Sequence, residues 1–234
     1  MKHQYFGDIS DYKKYSILRS ISNNGQLKTM VCWMLTANDE RNDGNVNKYL
    51  NKPEEWRSFE PDIFDFLHEA VLVRKTKDLN LVEQKGIILK TNYFWEILTD
   101  NLYGRQKYFA NLHEASKDCD VVFLDPDNGI ATESIKKGRK NSSKYVFWDE
   151  VKNFWKEGFS LLVYQHFPRV NRMQYINKIY KQTQVNLGKC EVYAIKTNFM
   201  VYFLIVQKQH KFYFVNLKKD IEARWKDEIE IFYL

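Results

Sequence analysis

Cys119-Asp-Val-Val-Phe-Leu-Asp-Pro-Asp-Asn-Gly129 is the stretch from which this sequence is best read. Val121 to Leu124 form an apolar run with no polar alternation, the pattern of a short strand buried on both faces. Asp125, Pro126, Asp127, Asn128 and Gly129 then end it, each favouring a turn for a different reason. In open α/β sheets the ligand crevice lies just past the carboxyl ends of the strands. Two carboxylates, an amide and a glycine at such a tip put polar reach where substrates bind. The same residues also make an ordinary capped turn.

Outward from this strand, apolar runs alternate with helical patterns. Thr29 to Leu35 and Ser160 to Tyr164 read as buried strands, the second ending in Gln165-His166-Phe167-Pro168-Arg169. Asp8 or Ser10 caps a helix to about Asn24, where Gly25 stops it. Further helices are expected from Pro61 to Leu72, Tyr103 to Lys117, Asp149 (as cap) to Glu157, and Val170 to Gln184. Residues 73 to 100 are ambiguous, with a short strand expected at Gly86 to Leu89. Glu191 to Lys196 and Met200 to Val206 form a hairpin around Thr197-Asn198; a charged piece, Leu217 to Lys226, and a strand, Ile229 to Tyr233, follow. This alternation predicts a Rossmann-like three-layer α/β sandwich, its sheet mostly parallel with a C-terminal antiparallel hairpin. With no repeat, linker or low-complexity tract, residues 1–234 are expected to form one domain.

Composition narrows the function classes. At 44% hydrophobic the chain can fill a core, and at 16% aromatic much of that core is ring surface. A net charge of +6 suggests a polyanionic partner. Cys32, Cys119 and Cys190 are odd in number and each sits in an apolar run, so buried, reduced thiols in a cytoplasmic protein are expected. No spacing suits zinc or demands another metal, and no apolar run approaches the ~20 residues of a membrane span. No membrane partner is expected.

If the strands ending at Leu124 and Tyr164 are sheet neighbours, their loops share one crevice. That crevice would hold Asp125, Asp127, Asn128, His166 and Arg169, with Glu150 nearby. Carboxylate, amide and imidazole make a workable acid–base set near neutral pH. The basic loop containing Lys136, Lys137, Arg139, Lys140 and Lys144 runs into Tyr145, Phe147 and Trp148. Cations beside rings suit unpaired or flipped nucleotides. At the other end, Tyr5, Gly7, Asp11 and Lys14 cluster at the start of the first helix, where backbone donors favour anions.

The frame Phe6-Gly7-Asp8-Ile9-Ser10-Asp11-Tyr12-Lys13-Lys14-Tyr15 resembles the opening of the bacterial large-subunit ribosomal RNA adenine-N6 methyltransferases. That family has an aromatic, Ala-Gly-Asn, two residues, Asp, two residues and Lys-His. Gly7, Asp11 and Lys14 match; Asp8 replaces Asn and Tyr15 replaces His. The family's Asp-Pro-Pro-Tyr, which holds the target adenine amino group, falls on Asp125-Pro126-Asp127-Asn128, where only the first two residues match. His166-Phe167-Pro168 stands where the family has an aromatic-Pro turn, and the final hairpin is similar to the antiparallel pair of methyltransferase sheets. The resemblance implies a Rossmann-like fold, a nucleic-acid base as substrate and S-adenosylmethionine as cofactor.

Two departures shift the expected chemistry. The loop after Thr29–Leu35 reads Thr-Ala-Asn-Asp-Glu-Arg-Asn-Asp-Gly44, with one late glycine where a cofactor cradle needs several. Asp39, Glu40 and Asp43 stand in it as candidate contacts to a ribose or an amine. Loss of the Pro-Tyr pair also removes a stacking ring and adds a carboxylate. Acids and an amide without a cofactor cradle point to hydrolysis. The order Asp125-Pro126 then His166-Phe167-Pro168 is similar in layout to uracil-type DNA glycosylases. The expectation is therefore a cofactor-free enzyme that hydrolytically removes a base, with DNA ahead of RNA as partner. Asp125 or Asp127 orients water, Asn128 reads the base and His166 stabilises the leaving group. Tyr5, Gly7, Asp11, Lys14, Lys137, Arg139, Lys140, Trp148 and Arg169 bind substrate. The alternatives are S-adenosylmethionine-dependent base methylation, a cofactor-free nucleic-acid-binding protein, and a metal-dependent nuclease built on Asp125, Asp127 and Glu150.

Overall fold

The computed structural model describes residues 2–36 and 46–234. Strands β1 (Thr29–Cys32), β2 (Thr91–Phe94), β3 (Val121–Leu124), β4 (Gly129–Ile130) and β5 (Tyr145–Val146) precede β6 (Ser160–His166). The chain then forms β7 (Glu191–Lys196), β8 (Met200–Val206) and β9 (Glu230–Tyr233). One seven-stranded sheet runs in the order β2-β1-β3-β6-β8-β7-β9, and β4 pairs with β5 apart from it. Pairing is parallel from β2 to β6 and antiparallel from β6 through β8 and β7 to β9.

The helices are α1 (Ile9–Ile21), α2 (Pro53–Trp56), α3 (Pro61–His68), α4 (Asn80–Lys85), α5 (Leu102–Ser116), α6 (Trp148–Lys156), α7 (Arg172–Leu187) and α8 (Leu217–Trp225). Successive strand residues point to opposite faces, so each strand feeds two cores. Val121 and Phe123 pack with Tyr12, Ile17, Phe64, Ile221 and Trp225, from α1, α3 and α8. Val122 and Leu124 pack with Tyr108, Leu112, Phe154, Ile176 and Ile179, from α5, α6 and α7. The three-layer α/β sandwich follows directly from apolar strands with no polar face.

Several boundaries differ from expectation for physical reasons. The strand expected at Gly86–Leu89 is absent. Gly86 instead ends α4 in a left-handed conformation (φ +64°), and the edge strand is Thr91–Phe94. Three of its four residues are only partly buried, so no apolar run marks it. β1 is regular only to Cys32, with a lone bridge from Leu35 to Ile97 beyond it. The helix from Pro61 is α-helical to His68 and then widens into a π turn, Glu69–Val73. Asp149 lies inside the first turn of α6 and does not cap it; Phe147 N donates to the Glu150 carboxylate at 2.9 Å instead. The polar loop with Asp39, Glu40 and Asp43 lies outside the described residues.

Among the described residues no helix is long and apolar enough to cross a membrane. Register places the site. Leu124 pairs with Val163 across β3 and β6, so both tips leave the sheet side by side. His166 pairs with Met200 across β6 and β8, bringing the hairpin tip to the same end.

Candidate active site

Beyond these tips lies a cavity of about 450 Å³, walled by residues 125–128, His166, the start of α1 and the hairpin tip. Asp125, Asp127, Asn128, His166, Tyr5, Asp11 and Lys14 all line it. The two strand ends that the sequence placed in one crevice therefore do share one.

Gln165 ties these ends together. Its side chain is buried, accepts from Ile130 N at 2.8 Å and donates to the carbonyls of Asn128 (3.0 Å) and His166 (3.2 Å). His166 N also donates to the Asn128 carbonyl at 3.2 Å. This close approach needs Gly129: at φ +110°, a Cβ there would lie 2.4 Å from the Gln165 side chain.

The floor is a charge cluster. Lys14, 4% exposed, holds Asp125 at 2.8 Å and Asp11 at 3.1 Å. Burial alone would lower the Lys14 pKa, but Asp125 and Asp11 overcome it and hold it well above the ordinary lysine value. Lys14 is thus a fixed cation and a poor nucleophile. Burial pushes Asp11 up to about 6, against the pull of Lys14. Asp11 Oδ2 has no hydrogen-bond partner among the described residues. The ammonium engages the Asp125 carboxylate directly.

The upper wall carries the reactive types. Asp127 accepts from the Thr36 hydroxyl at 3.2 Å. Burial would raise its pKa, but nearby positive charge, Lys2 included, and the Thr36 hydroxyl bring it below the ordinary value. It is ionised at neutral pH. The Asn128 backbone is fully engaged, with N donating to the Lys144 carbonyl at 3.0 Å, while its side-chain amide carries no bond among the described residues. His166 Nδ1 lies 3.4 Å from the Tyr164 hydroxyl. Partial burial lowers the His166 pKa, keeping the imidazole neutral at pH 7.

Other expected site residues lie elsewhere. Gly7 does not line the cavity; its φ of +83° makes a turn into α1, where a Cβ would meet Val71 Cγ2 at 2.4 Å. Lys137 is 2.5 Å from Asp149 and 3.1 Å from Glu150, with its ammonium over the Phe147 ring. Arg139 and Lys140 are exposed in the same loop, and Trp148 packs against the α5–α7 core. Arg169 walls a neighbouring groove. Glu150 is not near the acids but buried in a pair with Arg105 at 2.6 Å, which removes it from any shared metal site. Among the described residues no group of His, Cys, Asp and Glu is arranged to hold a metal.

The cavity also includes Lys2, Lys144, Tyr164, Phe199 and Met200. Period-two alternation places Tyr164 on the same face as Leu162, a usable signal. Phe199 and Lys2 arrive through tertiary folding and carry none.

No family model matches the chain, and no curated protein does. Among solved structures, the crystal structure of protein LPL1258 from Legionella pneumophila, assigned to the DUF519 family, is similar over 97% of each chain. Sequence identity is 10% and the TM-score 0.47.

Proposed function

We propose that this chain hydrolytically removes a nucleobase from nucleic acid. The observation that carries the reading is the meeting of the Asp127 carboxylate, the Asn128 amide and the His166 imidazole in the wall of one cavity of about 450 Å³. That volume falls in the ordinary range for small-molecule sites, and Tyr5, Tyr164 and Phe199 supply rings against which a base can stack.

In this reading the Asn128 amide reads the base edge. Asp127 accepts a proton from water as its oxygen attacks the anomeric carbon, and the anionic carboxylate stabilises positive charge developing on the sugar. The glycosidic carbon–nitrogen bond breaks with its electron pair leaving on the base. A ring N–H of neutral His166 donates a hydrogen bond to that departing nitrogen. Water supplies the hydroxyl left on the sugar and, through Asp127, the proton that completes the free base.

The test is incubation with oligonucleotides carrying plain and modified bases, followed by alkaline cleavage at abasic sites. Cleavage is expected with at least one base and should fall by about 10²-fold or more in Asp127→Asn. Uncut strands across a wide substrate panel would reject the proposal.

A second reading, S-adenosylmethionine-dependent base methylation, is favoured by two observations. The antiparallel β8 sits between β6 and β7 in the sheet, the hairpin placement that the family resemblance implies. Asp11 and Lys14, matching residues of the N-terminal frame, meet Asp125 of the Asp-Pro pair. Calorimetric titration with the cofactor separates the readings: tight binding puts methyl transfer first.

A further inference from the structure

The cavity does not end at His166. Two grooves of about 510 and 530 Å³ flank it, and all three depressions have His166 in their walls. Phe199 is shared between the cavity and the first groove, and Asn128 between the cavity and the second. The two grooves share Pro168, Val170 and Asn171 with each other. Together they form one trough that starts at the strand tips and runs over the first turns of α7.

Its lining is one-sided in charge. Arg169 and Arg172 wall the first groove and Lys178 the second, and no carboxylate lines either among the described residues. All three cations are exposed, and none is paired with an acid among the described residues. Several other surface cations are neutralised by neighbours: Lys137 by Asp149, Lys211 by Glu191, Arg57 by Asp65. Rings accompany the free cations. Phe199 is 59% exposed at the junction with the cavity, and Tyr145 and Tyr175 stand partly open in the second groove.

We infer that this trough holds a single-stranded stretch of nucleic acid flanking the base in the cavity. Arg169, Arg172 and Lys178 contact its phosphates, and Phe199 stacks on an adjacent base. The inference rests on the proposed base-processing reading and adds the polymer to it. A free nucleoside would fill the cavity and leave the trough empty. Ring faces can engage a base only where it is unpaired, so the occupant is a single strand; a duplex hides those faces.

Fluorescence anisotropy with a labelled mixed-sequence oligonucleotide, across a salt series, tests it. Each lost phosphate contact to a single strand lowers the slope of log affinity against log salt by about 0.7. Replacing Arg169, Arg172 and Lys178 together by Ser or Gln should therefore flatten that slope by about 2 units and weaken binding at low salt by at least tenfold. The matched variant with Lys136, Arg139 and Lys140 replaced should bind as the parent does. Phe199→Ala should weaken binding with the slope unchanged. Circular dichroism melting verifies that each exposed substitution leaves the fold intact.

Unchanged affinity and slope in the Arg169/Arg172/Lys178 variant would overturn the inference, as would duplex bound as tightly as single strand. DNA and RNA oligonucleotides run in parallel identify which sugar the trough prefers. Base release by the wild type, measured beside binding by the trough variants, separates this inference from the reading beneath it. If wild type releases no base but the trough variants still lose binding, the trough stands and the hydrolytic reading fails. If base release proceeds while those variants bind normally, the trough fails alone.

Discussion

Lys14 carries the electrostatics of the cavity floor. Two carboxylates and one ammonium are removed from water together, and an ion pair so buried is costly to break from one side. Lys14→Met should lower stability by roughly 3–5 kcal/mol, since Asp125 loses the partner that compensates its burial. Adding Asp125→Leu should restore a large part of that loss, because the second charge goes too. Chemical denaturation of the two variants measures both effects. Asp11 is less exposed to this penalty, because its pKa of about 6 lets it take up a proton when unpaired.

His166 belongs to the same scale. Partial burial lowers its pKa from the ordinary histidine value, so its ring takes up a proton only in more acidic solution than a free imidazole does. If the neutral ring serves the leaving base, base release should hold near pH 7 and decline as the solution is made acidic. Asp11 titrates in a neighbouring range, at about 6. The pH–rate profile of Asp11→Asn should therefore keep the acid limb, while His166→Gln should lose it along with about 10² in rate. Persistence of the limb in His166→Gln would assign it to another group.

At the scale of elements, the decisive contact is between the tips of β3 and β6. Gly129→Ala puts a Cβ into the Gln165 side chain and a non-glycine residue at φ +110°. Such strain costs on the order of 1–3 kcal/mol, and here it also disrupts the bonds of Gln165 to Ile130, Asn128 and His166. Thermal melting should show a lower midpoint, and base release should fall further than the lost stability explains.

The same elements show what the sequence could reveal. β3, β6 and β8 are buried on both faces, so plain apolar runs marked them, and the turn residues at the tips of β3 and β6 marked the site. β2 stayed hidden because an edge strand needs no apolar run, and Gly86 drew attention to the wrong place by being a helix terminator. Lys137 shows a related limit. Charge density along the chain does not reveal which cations a fold neutralises, and Lys137 meets Asp149 and Glu150. Strand alternation signals Tyr164, whereas Phe199 and Lys2 enter the cavity through packing, which no local pattern encodes.

For the whole molecule, the two cores flanking one sheet govern how accessible its thiols are. Cys32 is fully buried, 3.0 Å from the Tyr108 hydroxyl, and burial pushes its pKa up to about 12. Burial likewise raises Cys119 to about 12, while Cys190 is only partly covered. Near neutral pH a thiol-specific reagent should modify native protein at Cys190 first and at Cys32 only as fast as the chain unfolds. Mass spectrometry of the labelled peptides reads the order, and rapid modification of Cys32 would contradict the packing described.

The layer containing α1 has a further consequence for how the molecule comes into being. The Tyr12 ring meets Trp225 at 4.9 Å, Lys13 reaches Glu228 at 2.5 Å, and the Trp225 indole donates to Ser16 at 2.7 Å. The helix that carries Asp11 and Lys14 is thus seated on residues 209 to 215 positions further along the chain. Contacts that close so long a loop are among the slowest to form. The lysine and its two acids should therefore gain their enclosure late in refolding, after the local helices have formed.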